Sequence, residues 1–317
     1  MRLVSVSQNH PSNRDCSSKT PRIVCYYQTH YINGEFISIL PLLQTGITHL
    51  IVAAFHINSR DSITLNDDEY DHPMNFPLWI EIRALQRAGL KVLGMLGGAH
   101  QGSFTRLDGE INSFEVHYKL LHQMVTDTGL DGLDLDAEEA MSLPSVIRLI
   151  NRLKRDFGQA FLITLAPIAN AMRGQENLSG FNYEDLEKAF SVEIAWYNTQ
   201  FYCGWGCMKT TTDYDKIISR GWPANKIVAG LVTNPANCTG WVKDKPLKKT
   251  LEALKKKYPD FGGVMGWEYF NSMVRGLGAI SLSPSPCFGS PGIFQDHIEL
   301  LLHILFSSYI MKANLTT

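Results

Sequence analysis

Asp134, Asp136 and Glu138 stand at alternate positions in the stretch Gly129-Leu130-Asp131-Gly132-Leu133-Asp134-Leu135-Asp136-Ala137-Glu138. In an extended strand alternate side chains share a face, so the three acids line one side while Leu133, Leu135 and Ala137 take the other. Residues two apart rise by about 6.6 Å, near enough for their charges to couple. Like charges shut away from water raise one another's pKa, and such a row is destabilising unless one member holds a proton or each finds donors. The same arrangement suits proton transfer. The outermost acid can stay protonated near neutrality and donate to a leaving oxygen, which makes Glu138 the candidate general acid. A solvated acidic loop conflicts with the alternate leucines, and a helix–loop–helix calcium site needs Gly after its acids, whereas Gly132 precedes them. Glu139 projects oppositely and is expected at the surface or at a helix start.

Short apolar runs rich in β-branched residues recur along the chain: Ile23–Tyr27, His49–Phe55, Lys91–Leu96, Gly132–Glu138, Phe161–Ala166, Val192–Tyr202, Lys226–Val232 and Gly262–Trp267. Between them, Leu78–Ala88, Phe114–Val125, Val146–Phe157, Tyr183–Phe190 and Leu247–Tyr258 have helical spacing. Eight strands alternating with helices predict a closed (β/α)8 TIM barrel, a single α/β domain over residues 22–272. An open sheet would announce a phosphate site with a Gly-rich turn, but Tyr26-Tyr27-Gln28-Thr29 follows the first strand and no G-x-G-x-x-G is present. Function in a barrel sits where strands end toward their C-terminal loops. Gln200 and Tyr202, alternate on one strand, can face inward together; Tyr26 and Phe55 are candidates for the walls of a binding cleft. Trp267 closes the last strand, as a core residue or as a stacking platform. The link between the seventh and eighth strands is too short for an inserted domain, so the cleft is expected to be open.

The full chain has 317 residues, 44% hydrophobic and 19% charged, with a formal net charge of −2. A core can be buried, and no general field steers the chain to nucleic acid or to an anionic membrane. The six cysteines show no paired C-x-x-C spacing, which argues against a disulfide framework or a four-cysteine zinc site. Cys203 and Cys207 are open to pairing, with packed thiols the favoured reading. The ten histidines are scattered without metal-ligand spacing, so neither metal nor cofactor is expected. Lys243–Lys257 reads as the solvated face of an outer helix. Residues 1–21 read as a flexible tail without the apolar segment a secretory signal needs, so the chain as written is expected to be cytoplasmic, or extracellular if its start is wrongly assigned; in the first case the sequons at Asn177, Asn237 and Asn314 carry no meaning. Residues 273–317 are irregular. Gly276-Leu277-Gly278 and Ser283-Pro284-Ser285-Pro286 interrupt them before a helical run over Ile293–Met311, which reads as a closing helix, an exposed amphipathic piece, or foreign sequence from a wrong gene boundary.

The acid stretch resembles the D-G-x-D-x-D-x-E motif of glycoside hydrolase family 18, the chitinase family, in its form without an insertion domain. Other stretches are similar at the expected strands: Gly97-Gly98 to the end of S-x-G-G, Gln200-Phe201-Tyr202 to Q-F-Y, and Gly262–Trp267 to G-G-V-M-x-W. The resemblance runs from about Arg22 to Asn271. It implies a retaining hydrolase of β-1,4-linked N-acetylglucosamine, as chitin or GlcNAc-containing oligosaccharides, whose nucleophile is the substrate's own acetamido group. By that likeness Glu138 protonates the glycosidic oxygen and Asp136 binds the acetamido nitrogen. Asp134 shares a proton with Asp136, Tyr202 donates to the acetamido oxygen, and Trp267 forms the sugar floor. Asp131 and Gly132 complete the motif, and Gly97, Gly98 and Gln200 line the substrate. The expected form is a monomer. One departure is Met95, where the family has Ser; loss of that hydroxyl is expected to change how Asp134 is satisfied and to lower activity. A sugar-binding protein without catalysis and an endo-β-N-acetylglucosaminidase acting on N-glycan cores are the alternatives, the first disfavoured because Glu138 is retained.

Overall fold

The computed structural model describes residues 21–58 and 62–272. All eight apolar runs become parallel strands: β1 (Arg22–Tyr27), β2 (His49–Ile57), β3 (Lys91–Gly97), β4 (Gly132–Asp136), β5 (Leu162–Leu165), β6 (Trp196–Gln200), β7 (Ile227–Val232) and β8 (Gly263–Trp267). Each pairs with the next, and β1 pairs with both β8 and β2, so the sheet closes into the expected barrel. Outside it lie α1 (Phe76–Arg87), α2 (Ile111–Thr128), α3 (Leu143–Phe157), α4 (Tyr183–Phe190), α5 (Thr212–Ser219) and α6 (Asp244–Lys257). Between β1 and β2 the crossover carries no α-helix, only a short antiparallel pair, Tyr31–Ile32 with Glu35–Phe36, and a 3-10 turn, Leu40–Gln44.

Local sequence explains the boundaries. In α3, Val146, Leu149, Ile150 and Leu153 are buried at the spacing of one helix face, Pro144 sits in the first turn, and Gly158 at φ 83° ends it. Asn182 opens α4, its side chain accepting from the backbone N–H groups of Glu184 and Asp185. The link from β7 to β8 holds a loop and α6, with no inserted domain.

The core has two layers. Between strands and helices, Leu133, Leu135 and Ala137 pack with Val146, Leu149 and Leu153. Inside the barrel, Val24, Ile51, Leu93, Met95, Trp196, Val228 and Met265 pack together. Strand β2 departs from simple alternation. Its register against β3 shifts between Val52 and Phe55, with a cis peptide at Ala53–Ala54. Ala53 and Ala54 both join the inner layer, and Phe55 is turned to the outer one. A one-residue slip reverses the faces of all that follows.

The tail over 1–20 and the segment from 273 onward, including the helical run over Ile293–Met311, lie outside the described residues. Among the described residues no helix is long and apolar enough to cross a membrane.

Candidate active site

Three acids line the inside of the barrel, as the alternation requires. Asp134 is fully buried, Asp136 is buried, and Glu138, just beyond the strand end, is partly exposed. Gly132 lets β4 lie this close to its neighbour: a Cβ there would stand 2.2 Å from the Leu162 carbonyl oxygen. Asp131 belongs to the other end of the strand. It accepts from Lys91 Nζ (2.8 Å), Gln86 Nε2 (2.9 Å) and the Val92 backbone N–H (3.0 Å), fixing the start of β4 far from the acids' open end.

Burial would raise the pKa of Asp131, but the Lys91, Val92 and Gln86 donors hold it below the ordinary carboxylate value. A depressed folded-state pKa adds stability above the unfolded value that is lost as pH falls through the folded one. Asp131→Ala is therefore expected to cost about 1–2 kcal/mol at pH 7. The difference from wild type should shrink on acidification below about pH 4, the ordinary carboxylate range; urea unfolding at several pH values checks it, and a pH-independent loss would rule out the charge as its source.

At the base of the ladder, Asp134 is held by three donors: the Tyr26 hydroxyl (2.5 Å), Asn198 Nδ2 (3.0 Å) and the Thr164 hydroxyl. Burial raises its pKa, and these bonds oppose the rise. The Met95 substitution therefore does not leave Asp134 short of donors. Met95 pairs in register with Asp134 and packs in the inner core.

Asp136 and Glu138 meet one amide. Gln200 Nε2 lies 3.3 Å from Asp136 Oδ1 and 3.3 Å from Glu138 Oε1, and is anchored by the Ala166 carbonyl at 2.9 Å. Burial, then the charges of Glu138 and Asp134, push Asp136 well above the usual carboxylate range. Burial also raises Glu138, and the Gln200 bond partly opposes it. The two acids repel each other and share one donor, so they titrate as a pair and not as separate groups.

Tyr202 sits beside the acids in the inner layer. Burial and then the charges of Asp136, Glu138 and Asp134 lift its hydroxyl well above its ordinary value, so it remains a donor. Trp267 is partly exposed, with its ring centroid 5.4 Å from that of Tyr26. Gly97 and Gly98, at φ 94° and 91°, carry the chain around the tip of β3. A Cβ at Gly97 would lie 2.5 Å from the Asp136 carbonyl oxygen, and one at Gly98 would lie 3.6 Å from Asp136 Oδ2. Only glycine combines that backbone with an open approach to the carboxylate.

Four expectations need correction. Phe55 is not a cleft wall: the slip in β2 turns it outward against Trp79, where it is fully buried. Tyr26 is 1% exposed and serves as donor to Asp134, not as a cleft wall. Glu139 is not a surface residue. It is buried and accepts from the Gly102 and Phe104 backbone N–H groups (2.8 Å each) and the Thr105 hydroxyl (2.5 Å), tying the loop after β3 to the loop after β4. Cys203 pairs with Cys238, not Cys207, which is free.

Sequence reasoning missed Asn198 and Thr164. Asn198 was within reach, since the inward register of Gln200 and Tyr202 extends two residues back along β6. It also missed Glu268, buried next to Trp267, which accepts from the Gln28 and Thr29 backbone N–H groups (2.7 and 2.9 Å) and fixes the turn after β1. No group of three or more His, Cys, Asp or Glu with metal-site geometry occurs among the described residues.

Residues 22–274 match the family described as Glycosyl hydrolases family 18. Among solved structures, the chitinase ChiC of Aspergillus fumigatus is 51% identical with a TM-score of 0.79, over 82% of this chain and 95% of that one. A fungal endo-beta-N-acetylglucosaminidase of family 18 is 41% identical with a TM-score of 0.80, over 90% and 97%. Chitinase 2 of Rhizopus oligosporus is 28% identical over 207 residues; the match takes in 59% of this chain and 35% of that protein's length. The barrel, the acids on its fourth strand and the match over nearly all of the described residues lead to one assignment: the chain belongs to glycosyl hydrolase family 18 and is a glycosidase.

Proposed function

We propose that this glycosidase cleaves β-1,4 bonds between N-acetylglucosamine residues with retention of configuration, the substrate's 2-acetamido carbonyl oxygen acting as nucleophile. The observation that carries the reading is the Gln200 amide set between Asp136 and Glu138 on the inner face of the barrel. Glu138 protonates the glycosidic oxygen as the bond to the anomeric carbon breaks. The acetamido oxygen closes onto that carbon, Asp136 accepts the acetamido N–H and opposes the positive charge of the cyclised ring, and Tyr202 donates to the acetamido oxygen. Glu138, now a carboxylate, takes a proton from water, whose oxygen bonds to the anomeric carbon on the face the leaving group left as the bond from that carbon to the acetamido oxygen breaks. Asp134, held by Tyr26, Thr164 and Asn198, stands beneath Asp136 and shares a proton with it. Trp267 offers its face to the apolar side of the sugar.

Hydrolysis of tetra-N-acetylchitotetraose followed by proton NMR tests the chemistry. The β anomer is expected first; initial release of the α anomer would exclude a retaining route.

A second substrate reading has its own support. The fungal endo-beta-N-acetylglucosaminidase is covered over 97% of its chain at 41% identity. The same acids would then cut the chitobiose core of an N-glycan. Parallel incubation with colloidal chitin and with a high-mannose glycoprotein separates the two: soluble chito-oligosaccharides support the first, and a released glycan with one GlcNAc at its reducing end supports the second.

A further inference from the structure

We propose that the Cys203–Cys238 disulfide is a positioning device for Tyr202, so that a dithiol which opens it slows the reaction without unfolding the barrel; the inference rests on the catalytic reading above. Cys203 follows Tyr202 directly and has a positive φ of 53°, a conformation uncommon for a side-chain-bearing residue. Its partner Cys238 lies on the loop between β7 and α6, 35 residues further on. Three contacts hold this loop against Tyr202. The disulfide is one, and the Cys203 backbone N–H to the Thr239 carbonyl, at 2.8 Å, is the second. Gly240 is the third: its backbone, at φ 96°, lies so close that a Cβ would stand 2.9 Å from Tyr202 Cα.

The far side of the same loop reaches the sugar-floor residue. Asn237 Nδ2 donates to the Trp267 carbonyl at 2.6 Å, and the Thr233 hydroxyl donates to the carbonyls of Trp267 and Glu268 at 3.1 and 2.8 Å. The loop is thus a strap joining the donor at the end of β6 to the Trp at the end of β8. Tyr202 has no helix to stiffen it, because the chain beyond β6 is irregular until α5. The covalent tie is the one part of the strap that a thiol reagent removes selectively.

Opening is an ordinary exchange. The disulfide and one molecule of a small dithiol give two cysteine thiols and the cyclic disulfide of the reagent; the protein gains two electrons and two protons, and the reagent loses them. Glu138, Asp136 and Asp134 keep their contacts, which lie on other strands or on Asn198 and Gln200 within β6, ahead of the tie. Reduction is therefore expected to act on kcat, with the pH profile of the acids left in place.

The test uses the full chain, oxidised, and the same chain after dithiothreitol. Peptide mass mapping of the oxidised form should show Cys203 and Cys238 linked; finding both as free thiols would overturn the proposal. Turnover of a fluorogenic chito-oligosaccharide should fall about tenfold on reduction, the scale of a small misplacement of a reacting group, with KM within twofold. Reoxidation with glutathione disulfide should restore it. Cys207→Ser should respond like wild type, while the Cys203→Ser, Cys238→Ser double variant should be slow from the start and indifferent to dithiol. Hydrogen exchange gives a second measurement that needs no activity and no variant. Peptides spanning 201–206 and 234–241 should exchange faster after reduction while those of β4 do not change. Unchanged exchange in 201–206, or unchanged kcat in an active reduced enzyme, would overturn the positioning role. An oxidised enzyme that hydrolyses neither chitin oligomers nor glycoprotein would instead overturn the catalytic reading, with the exchange result still deciding the role of the disulfide.

Discussion

Glu138→Gln is expected to lower turnover of a fluorogenic chito-oligosaccharide by about 10³- to 10⁴-fold, at the upper end of what one general acid–base residue contributes. The amide has nearly the same shape and can still meet Gln200, which lies 3.3 Å from Glu138 Oε1 in the wild-type protein. Binding should therefore survive, with KM close to wild type and an unchanged circular dichroism spectrum. The loss should be largest for substrates with poor leaving groups, since those depend most on the proton. In wild type, burial raises the pKa of Glu138, so the alkaline fall in activity should come above the ordinary glutamate value. Turnover within tenfold of wild type would mean that the proton comes from another group.

Asp136→Asn is expected to cost about 10²- to 10³-fold in kcat, comparable to loss of one preorganised group that opposes developing charge. Asparagine can still accept from the acetamido N–H, but it brings no negative charge to the cyclised, positively charged sugar. The pH profile provides an independent check. In wild type the second proton leaves a pair whose members repel, and Asp136 is pushed up first by burial and next by Glu138. With Asp136 neutral that repulsion is gone, so the alkaline limb of kcat should move toward lower pH. A limb that stays in place would show that the two acids do not titrate together.

The positions of the eight strands were legible because a buried parallel strand needs a short apolar run, and each run met that need. The helix α5 was not. Its buried residues are only Tyr214 and Ile217, too few to display a period over eight residues. The acids were legible because alternation carries a polar side chain inward at every second place, and the same rule extends to Asn198. Phe55 fails that rule for a physical reason: the slip between Val52 and Phe55 is a property of how β2 meets β3, and no residue type in the run announces it. The Cys203–Cys238 link joins loops that only the closed barrel brings together, so cysteine spacing along the chain carried no sign of it. Glu139 was misassigned for a related reason. Its partners, Gly102, Phe104 and Thr105, come from the start of a short helix, Ser103–Leu107, that follows another strand.

Glu139 also sets the unit of exchange for anyone who would reshape this cleft. Because its carboxylate receives donors from three residues of the β3 loop, that loop cannot be transplanted from a relative as an independent module. A chimera carrying a foreign segment over 98–107 that does not present those donors would strand a buried acid unless position 139 travels with it. Redesign of specificity at this rim has to treat the two loops as a single inherited part.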